Sequence, residues 1–246
     1  MDNKDMIYGT RAVMEAIEAG RELEKILIQS GLKNDLVSEL LDKARQLRIP
    51  VQHVPAEKLR KLSTKNHQGV ISILSSITYA SLDHLIDKAF SEGREPFLLV
   101  LDRITDVRNF GAIVRSAECA GIDAIVIADK GSAPITGDSM KTSAGALNHV
   151  PVCREKLKDT VPFLQERGIR VVACTEKAAQ TIYEGVGSGP VALMLGSEED
   201  GISDSLLRGA DVLVKIPMRG KINSLNVSVA AGIAIFEALR QRENPV

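Results

Sequence analysis

Apolar positions recur every three to four residues along Arg11–Ala19 (RAVMEAIEA) and again along Asp35–Leu47, the spacing of amphipathic helices. Pro50 comes after the second and marks its end. Short β-rich runs lie between and after them: Lys25–Gln29 (KILIQ), Val51–Val54 and Gly69–Leu74 (GVISIL). A short basic helix is predicted over Ala56–Leu62. The pattern reads as a small α/β domain over residues 1–76. Residues 77–95 turn polar, hold one short helix around Leu82–Ala89, and serve as a linker or as the first helix of the next domain.

From Pro96 the rhythm changes. Near-continuous apolar runs alternate with helical segments, and they predict strands at Phe97–Leu101 (FLLVL), Ala124–Ala128 (AIVIA), Ile169–Ala173, Val191–Leu195 (VALML) and Val212–Ile216. Helices are predicted over Gly111–Gly121, Lys158–Arg167, a short piece ending at Leu206–Gly209, and Leu225–Arg240. Strands apolar on both faces, separated by helices, belong to a parallel sheet covered on both sides. Residues 96–246 are therefore expected to form an α/β domain.

Composition narrows the function. With 44% hydrophobic and 26% charged residues the chain is that of a globular protein. No apolar run is long enough to span a membrane, and the first twenty residues lack the apolar core of a secretory signal. The three cysteines, Cys119, Cys153 and Cys174, form no CxxC and read as thiols of a reducing cytoplasm. Four scattered histidines offer no metal-ligand spacing. Residues 1–76 carry 12 Lys and Arg against 10 Asp and Glu, and the remainder 19 against 22. The balance argues against a sequence-blind nucleic-acid binder, and any nucleic-acid contact would have to come from local patches.

The first strand of the second domain runs into RITDVRNFGAIVRSA, which contains neither a GxGxxG nor a P-loop. It sets Asp102, Asp106, Arg108, Asn109 and Arg115 near the C-terminal end of a buried strand, where open α/β sheets hold ligands. Taken alone, Asn109 is equally a helix N-cap and Arg115 a surface charge. A second cluster, Leu193–Ser203 (LMLGSEEDGIS), places Gly196, Glu198 and Gly201 after another strand. Acids at such a turn also suit a helix N-terminus. A third, Ile216–Arg240 (IPMRGKINSLNVSVAAGIAIFEALR), carries Ser224 and Asn226 into an apolar helix. Capping accounts for one of these polar residues but not for the whole corner.

In this order the three segments resemble the signature motifs of the SpoU/TrmH family of RNA 2'-O-ribose methyltransferases, the knotted SPOUT class. The resemblance implies a parallel sheet flanked by helices with a C-terminal trefoil knot. It implies S-adenosylmethionine (SAM) as cofactor, held by Gly196, Ile216, Met218 and Leu225, with Thr175 as a neighbour. It assigns Arg115, Asn109, Glu198, Ser224 and Asn226 to catalysis. The family commonly has proline after the first-motif Asp, where Val107 stands here. The N-terminal segments IYGTRAVMEAIEAG and NHQGVISIL resemble the L30-like domain of the ribosomal-RNA branch. Arg11, Lys65 and His67 are accordingly expected to contact RNA. The substrate implied is a guanosine of 23S ribosomal RNA. Transfer RNA is the alternative within the family, and an inactive ribosome-assembly factor is the alternative outside catalysis. A cytoplasmic homodimer, with catalytic groups from both subunits, is also implied.

Overall fold

The structure is a computed structural model that describes residues 5–244. The chain divides into two compact units. The first holds residues up to Thr78 together with Pro134–Asp138, and the second holds Tyr79–Ala133 and Ser139 onward.

In the first unit, strands β1 (Met6–Tyr8), β2 (Leu23–Gln29), β3 (Val51–Val54) and β4 (Val70–Leu74) form a sheet in the order β1-β4-β2-β3. β4 runs antiparallel to β1 and β2, while β2 and β3 are parallel. Successive side chains of β2 point to opposite faces. Ile26 and Ile28 pack with Val13 and Met14 of helix α1 (Thr10–Glu18) and with Val37 and Leu40 of α2 (Asp35–Gln46). Leu27 instead joins Ile71 and Leu59, the last on α3 (Ala56–Leu62). Both faces are covered, which explains why β4 is buried along its whole length.

The second unit opens with α4 (Leu82–Ser91), β5 (Phe97–Leu101), α5 (Val107–Cys119), β6 (Ala124–Ala128) and α6 (Gly137–Thr142), whose first two residues fall in the first unit. Next come β7 (Val152–Glu155), α7 (Leu157–Glu166), β8 (Arg170–Cys174), β9 (Gln180–Thr181) and α8 (Ile182–Gly185). The chain continues with β10 (Val191–Leu195), α9 (Asp204–Leu207), β11 (Val212–Lys215) and α10 (Val227–Glu243). Among the described residues seven strands, all parallel, take the order β7-β6-β5-β10-β8-β11-β9. The central strands β5 and β10 are buried throughout, which is why their sequences show no polar alternation. On one face Leu98, Val100, Ala192 and Met194 pack with Ile86 of α4 and Val161 and Leu164 of α7. Helices α5 and α10 pack against each other, and α10 also meets β10.

Several elements differ from the sequence reading. Helix α5 starts at Val107 and not at Gly111, because Asp106 caps it. Helix α10 starts at Val227, with Asn226 as its N-cap, and not at Leu225. The short pieces α6, β7, β9 and α8 are absent from the sequence reading. From Val227 to Phe236 helix α10 carries no charged residue on any face. It buries Ala231, Ala234, Ile235 and Ala238, yet leaves Val229, Ile233 and Phe236 at 51%, 37% and 48% exposure along one stripe.

Candidate active site

The loops that leave β5, β10, β8 and β11 lie side by side, because these four parallel strands are consecutive in the sheet. Every residue expected in the reacting centre of the second unit stands on one of these loops or on the helices they open.

The loop after β5 is tied at both ends. Asp102 is buried, and its Oδ2 accepts the N–H of Ser203 at 2.7 Å. Asp106 is the N-cap of α5, its Oδ1 accepting from the N–H groups of Arg108 (2.9 Å) and Asn109 (2.8 Å). That satisfies donors a helix start leaves open. Asn109 is therefore not a cap, and its side chain is free for other partners. Behind it, Thr142 Oγ1 donates to the carbonyl of Val107 at 3.1 Å. A Cβ at Gly111 would stand 2.2 Å from Thr142 Oγ1, so only glycine allows this approach.

The loop after β10 is a tight hairpin. Ser197 and Gly201 exchange backbone hydrogen bonds at 3.1 and 3.0 Å, and Gly201 takes φ +66°. A Cβ on Gly196 would lie 2.0 Å from the Gly201 carbonyl carbon. Glycine is required there for the hairpin to close. This local reason for glycine stands whether or not a cofactor lies against the same backbone. Glu198 projects from the tip and is exposed.

Asn226 completes the arrangement. Asn109 Nδ2 donates to Glu198 Oε2 at 3.1 Å. Asn226 Nδ2 donates to Asn109 Oδ1 at 3.0 Å and reaches Glu198 Oε1 at 3.5 Å. Asn226 Oδ1 accepts from the N–H of Ser228 (3.0 Å) and from its hydroxyl (2.6 Å). These bonds settle which end of each amide is nitrogen. One residue from each sequence motif thus meets in a closed triangle. Beside it lies a hollow of about 420 Å³, lined by Arg103, Thr105, Asp106, Asn109, Glu198 and Glu199 among others.

Two expected residues stand apart from this triangle. Arg115 is exposed on α5 and makes no hydrogen bond or ion pair among the described residues. Six residues after Asn109, it lies about 9 Å further along the helix and roughly 240° around it. Within one chain neither Asn109 nor Asn226 bonds Arg115. Ser224 is also exposed and has no side-chain hydrogen bond among the described residues. Sequence reasoning overlooked Arg103, whose guanidinium reaches Asp200 and the Gly201 carbonyl, both at 3.1 Å.

The residues expected to hold SAM end three adjacent strands. Thr175 comes after β8 and is 7% exposed, its N–H donating to the Val214 carbonyl at 2.8 Å. Ile216 and Met218 come after β11, and Leu225 precedes α10. Among the described residues, the backbone of Ile216, Met218 and Leu225 makes no hydrogen bond to other backbone. These amides and carbonyls can therefore meet the edge of an adenine while the side chains supply apolar contact. The residues fit the cofactor.

In the first unit, Arg11 is exposed on α1. The Lys65 ammonium sits 5.0 Å from the centroid of the Tyr8 ring. His67 Nδ1 accepts the N–H of Gly69 at 3.0 Å and so holds the turn into β4, leaving Nε2 as its free ring nitrogen.

Residues 96–236 match the SpoU rRNA Methylase family, and residues 6–80 match a profile described as RNA 2'-O ribose methyltransferase substrate binding. A Bacillus subtilis protein of the TrmH family of tRNA/rRNA methyltransferases is 36% identical over 243 residues, covering 98% of this chain and 97% of its own. The SpoU methyltransferase AviRb from Streptomyces viridochromogenes, solved with AdoMet, aligns with a TM-score of 0.61 at 25% identity, covering 98% of this chain and 94% of that one. An AdoMet-bound rRNA methyltransferase from Sinorhizobium meliloti aligns at 0.60 and 26%, covering 96% and 86%. Fold and site together define a SAM-dependent RNA methyltransferase. The chain belongs to the SpoU rRNA methylase family.

Proposed function

We propose that this protein transfers a methyl group from SAM to a ribose 2'-hydroxyl of structured RNA, and that its target is a guanosine of 23S ribosomal RNA. The observation that carries the reading is the Asn109–Glu198–Asn226 triangle, two of whose members line the hollow. Asp106, Glu198, Glu199 and Asp200 line that hollow against the single cation of Arg103, a balance that disfavours a phosphate. A ribose, which presents hydroxyl donors, suits it better. The match of residues 6–80 to a substrate-binding profile supports residues 1–76 as the RNA-binding domain. The likeness of both units to an rRNA methyltransferase favours ribosomal over transfer RNA.

SAM supplies a methyl on a sulfonium, which is a good leaving group. The protein must add alignment and a more nucleophilic oxygen. Asn109 and Asn226 fix the Glu198 carboxylate, which holds the ribose by a hydroxyl. Ser224 lends a further hydroxyl to the ribose. Arg115 orients the 2'-oxygen and the neighbouring phosphate and stabilises the negative charge that develops. A guanidinium keeps its proton at neutral pH, so the proton of the 2'-hydroxyl passes to phosphate or water. Ile216, Met218, Leu225 and Thr175 hold the adenosine part of the cofactor, with Gly196 beside them.

In this reading Arg115 acts across a homodimer. Its guanidinium is exposed on α5, and the neighbouring α10 carries the exposed apolar stripe Val229, Ile233 and Phe236, which a second copy would cover. Arg11, Lys65 and the free edge of His67 contact RNA phosphates. The trefoil knot of the family and a cytoplasmic location belong to the same proposal. Among the described residues no helix is long and apolar enough to cross a membrane. The test is methyl transfer to RNA from cells lacking the protein. Label in the large ribosomal RNA supports the reading, label in transfer RNA moves the substrate, and no label despite SAM binding favours the assembly-factor role.

A further inference from the structure

Arg103 is one of four non-glycine residues with positive φ among the described residues, at +59°. Glycine takes that conformation without steric cost, whereas the Cβ of an arginine crowds the carbonyl oxygen that follows it. Its side chain offsets the cost. Nη1 donates to Asp200 Oδ2 at 3.1 Å and Nη2 to the Gly201 carbonyl at 3.1 Å. Nε lies 3.5 Å from Asp102 Oδ2, the same oxygen that accepts the N–H of Ser203. The Gly201 carbonyl also closes the hairpin by accepting from Ser197. One guanidinium therefore grips the base of the hairpin whose tip carries Glu198, and anchors it to the strand that leads into Asn109.

We infer that Arg103 is a positioning residue for Glu198, which holds the second-motif hairpin in the register that lets Glu198 meet Asn109 and Asn226. It need touch neither RNA nor cofactor. The inference rests on the reading of Glu198 as part of the reacting centre. A free hairpin tip would let Glu198 sample other positions, and a displacement of about 1 Å at a reacting group lowers turnover far more than binding.

The test uses Arg103→Gly in the full chain, since glycine relieves the backbone while removing the grip. The expected result is an unfolding midpoint unchanged or raised, unaltered SAM affinity, and a kcat lower by about tenfold, the scale of one charge-assisted hydrogen bond. Arg103→Lys, which keeps the charge, recovers part of the loss, and Asp200→Ala gives a smaller loss of the same kind. In a Glu198→Ala background, Arg103→Gly lowers kcat no further. Unchanged kcat in Arg103→Gly, with activity lost in Glu198→Ala, overturns the inference alone. A kcat that falls only in step with the midpoint, without recovery in the lysine variant, also overturns it. Full activity in Glu198→Ala overturns the underlying reading instead.

Discussion

The side-chain amide of Asn226 donates to the side-chain oxygen of Asn109 at 3.0 Å, across 117 positions of the chain. The two stand at the starts of the two helices that pack together, α10 and α5. Their bond commits the Asn109 amide nitrogen to Glu198. Asn226 therefore caps a helix and closes the triangle at once.

That dual role can be separated. Asn226→Asp keeps a good N-cap but replaces the donor facing Glu198 by a second carboxylate. Thermal stability should stay near that of the parent while methyl transfer falls by about tenfold or more. Asn226→Ala should lose both, with about 1 kcal/mol of stability gone through the cap. Denaturant unfolding beside single-turnover methyl transfer checks both. Wild-type activity in Asn226→Asp would contradict the role given to the triangle.

Arg115→Ala should lower kcat by about a hundredfold, the scale of removing a preorganised charge stabiliser. SAM affinity should hold, because no cofactor loop involves α5. If Arg115 works across a dimer, mixing an inactive Arg115→Ala chain with an inactive Glu198→Ala chain should restore part of the activity. Two inactive variants that stay inactive as a proven heterodimer would contradict the shared site.

Val107 is the first residue of α5, where a proline is tolerated because its missing N–H needs no helical partner. Asp106 before it has φ −80° and ψ 124°, the extended geometry that a succeeding proline demands. Val107→Pro should raise stability by about 0.5 kcal/mol and leave kcat unchanged. A thermal melt and an activity assay decide this, and a destabilised variant would mean that the valine side chain is needed where it stands.

Burial pushes the Cys153 thiol up to about 12 and the Cys174 thiol up to about 11 from an ordinary 9.0. Cys119 is exposed. A thiol reagent at pH 8 should titrate one group in the native protein and all three after unfolding. Cys153 and Cys174 hold their protons in the folded state while the unfolded chain loses them above its ordinary value. Stability should therefore fall as pH rises from about 9 through the folded values. Comparing melts at pH 8 and pH 10 for the parent and Cys153→Ala checks the sign, the slope being shallower in the variant.

Much of the fold could be read because burial on both faces leaves a direct mark. FLLVL and VALML have no polar position, and they are the two central strands. Val51–Val54 and Ala56–Leu62 likewise fall where the pattern puts them. The start of α5 could not be placed, because capping by Asp106 is a choice between several polar residues that only tertiary contacts settle. Motif resemblance brought Asn109, Glu198 and Asn226 into the candidate site, and the hydrogen bonds explain why amides and a carboxylate belong together there. Arg103 left no trace, because a left-handed backbone is foreseen at glycine or asparagine and not at arginine. Arg115 could be named but not placed, since its guanidinium makes no hydrogen bond or ion pair among the described residues.

The most direct measurement is nucleoside analysis of the methylated product. Labelled methyl from SAM is transferred to ribosomal RNA by the wild-type protein, and the RNA is then hydrolysed in alkali. A ribose methylated at the 2'-oxygen cannot attack its own phosphate, so the label should stay in an alkali-resistant dinucleotide and resolve as 2'-O-methylguanosine. It should be absent with Arg115→Ala. Label released in an ordinary mononucleotide would place the methyl on a base, and would contradict both the proposed chemistry and the roles given to Asn109, Glu198 and Asn226.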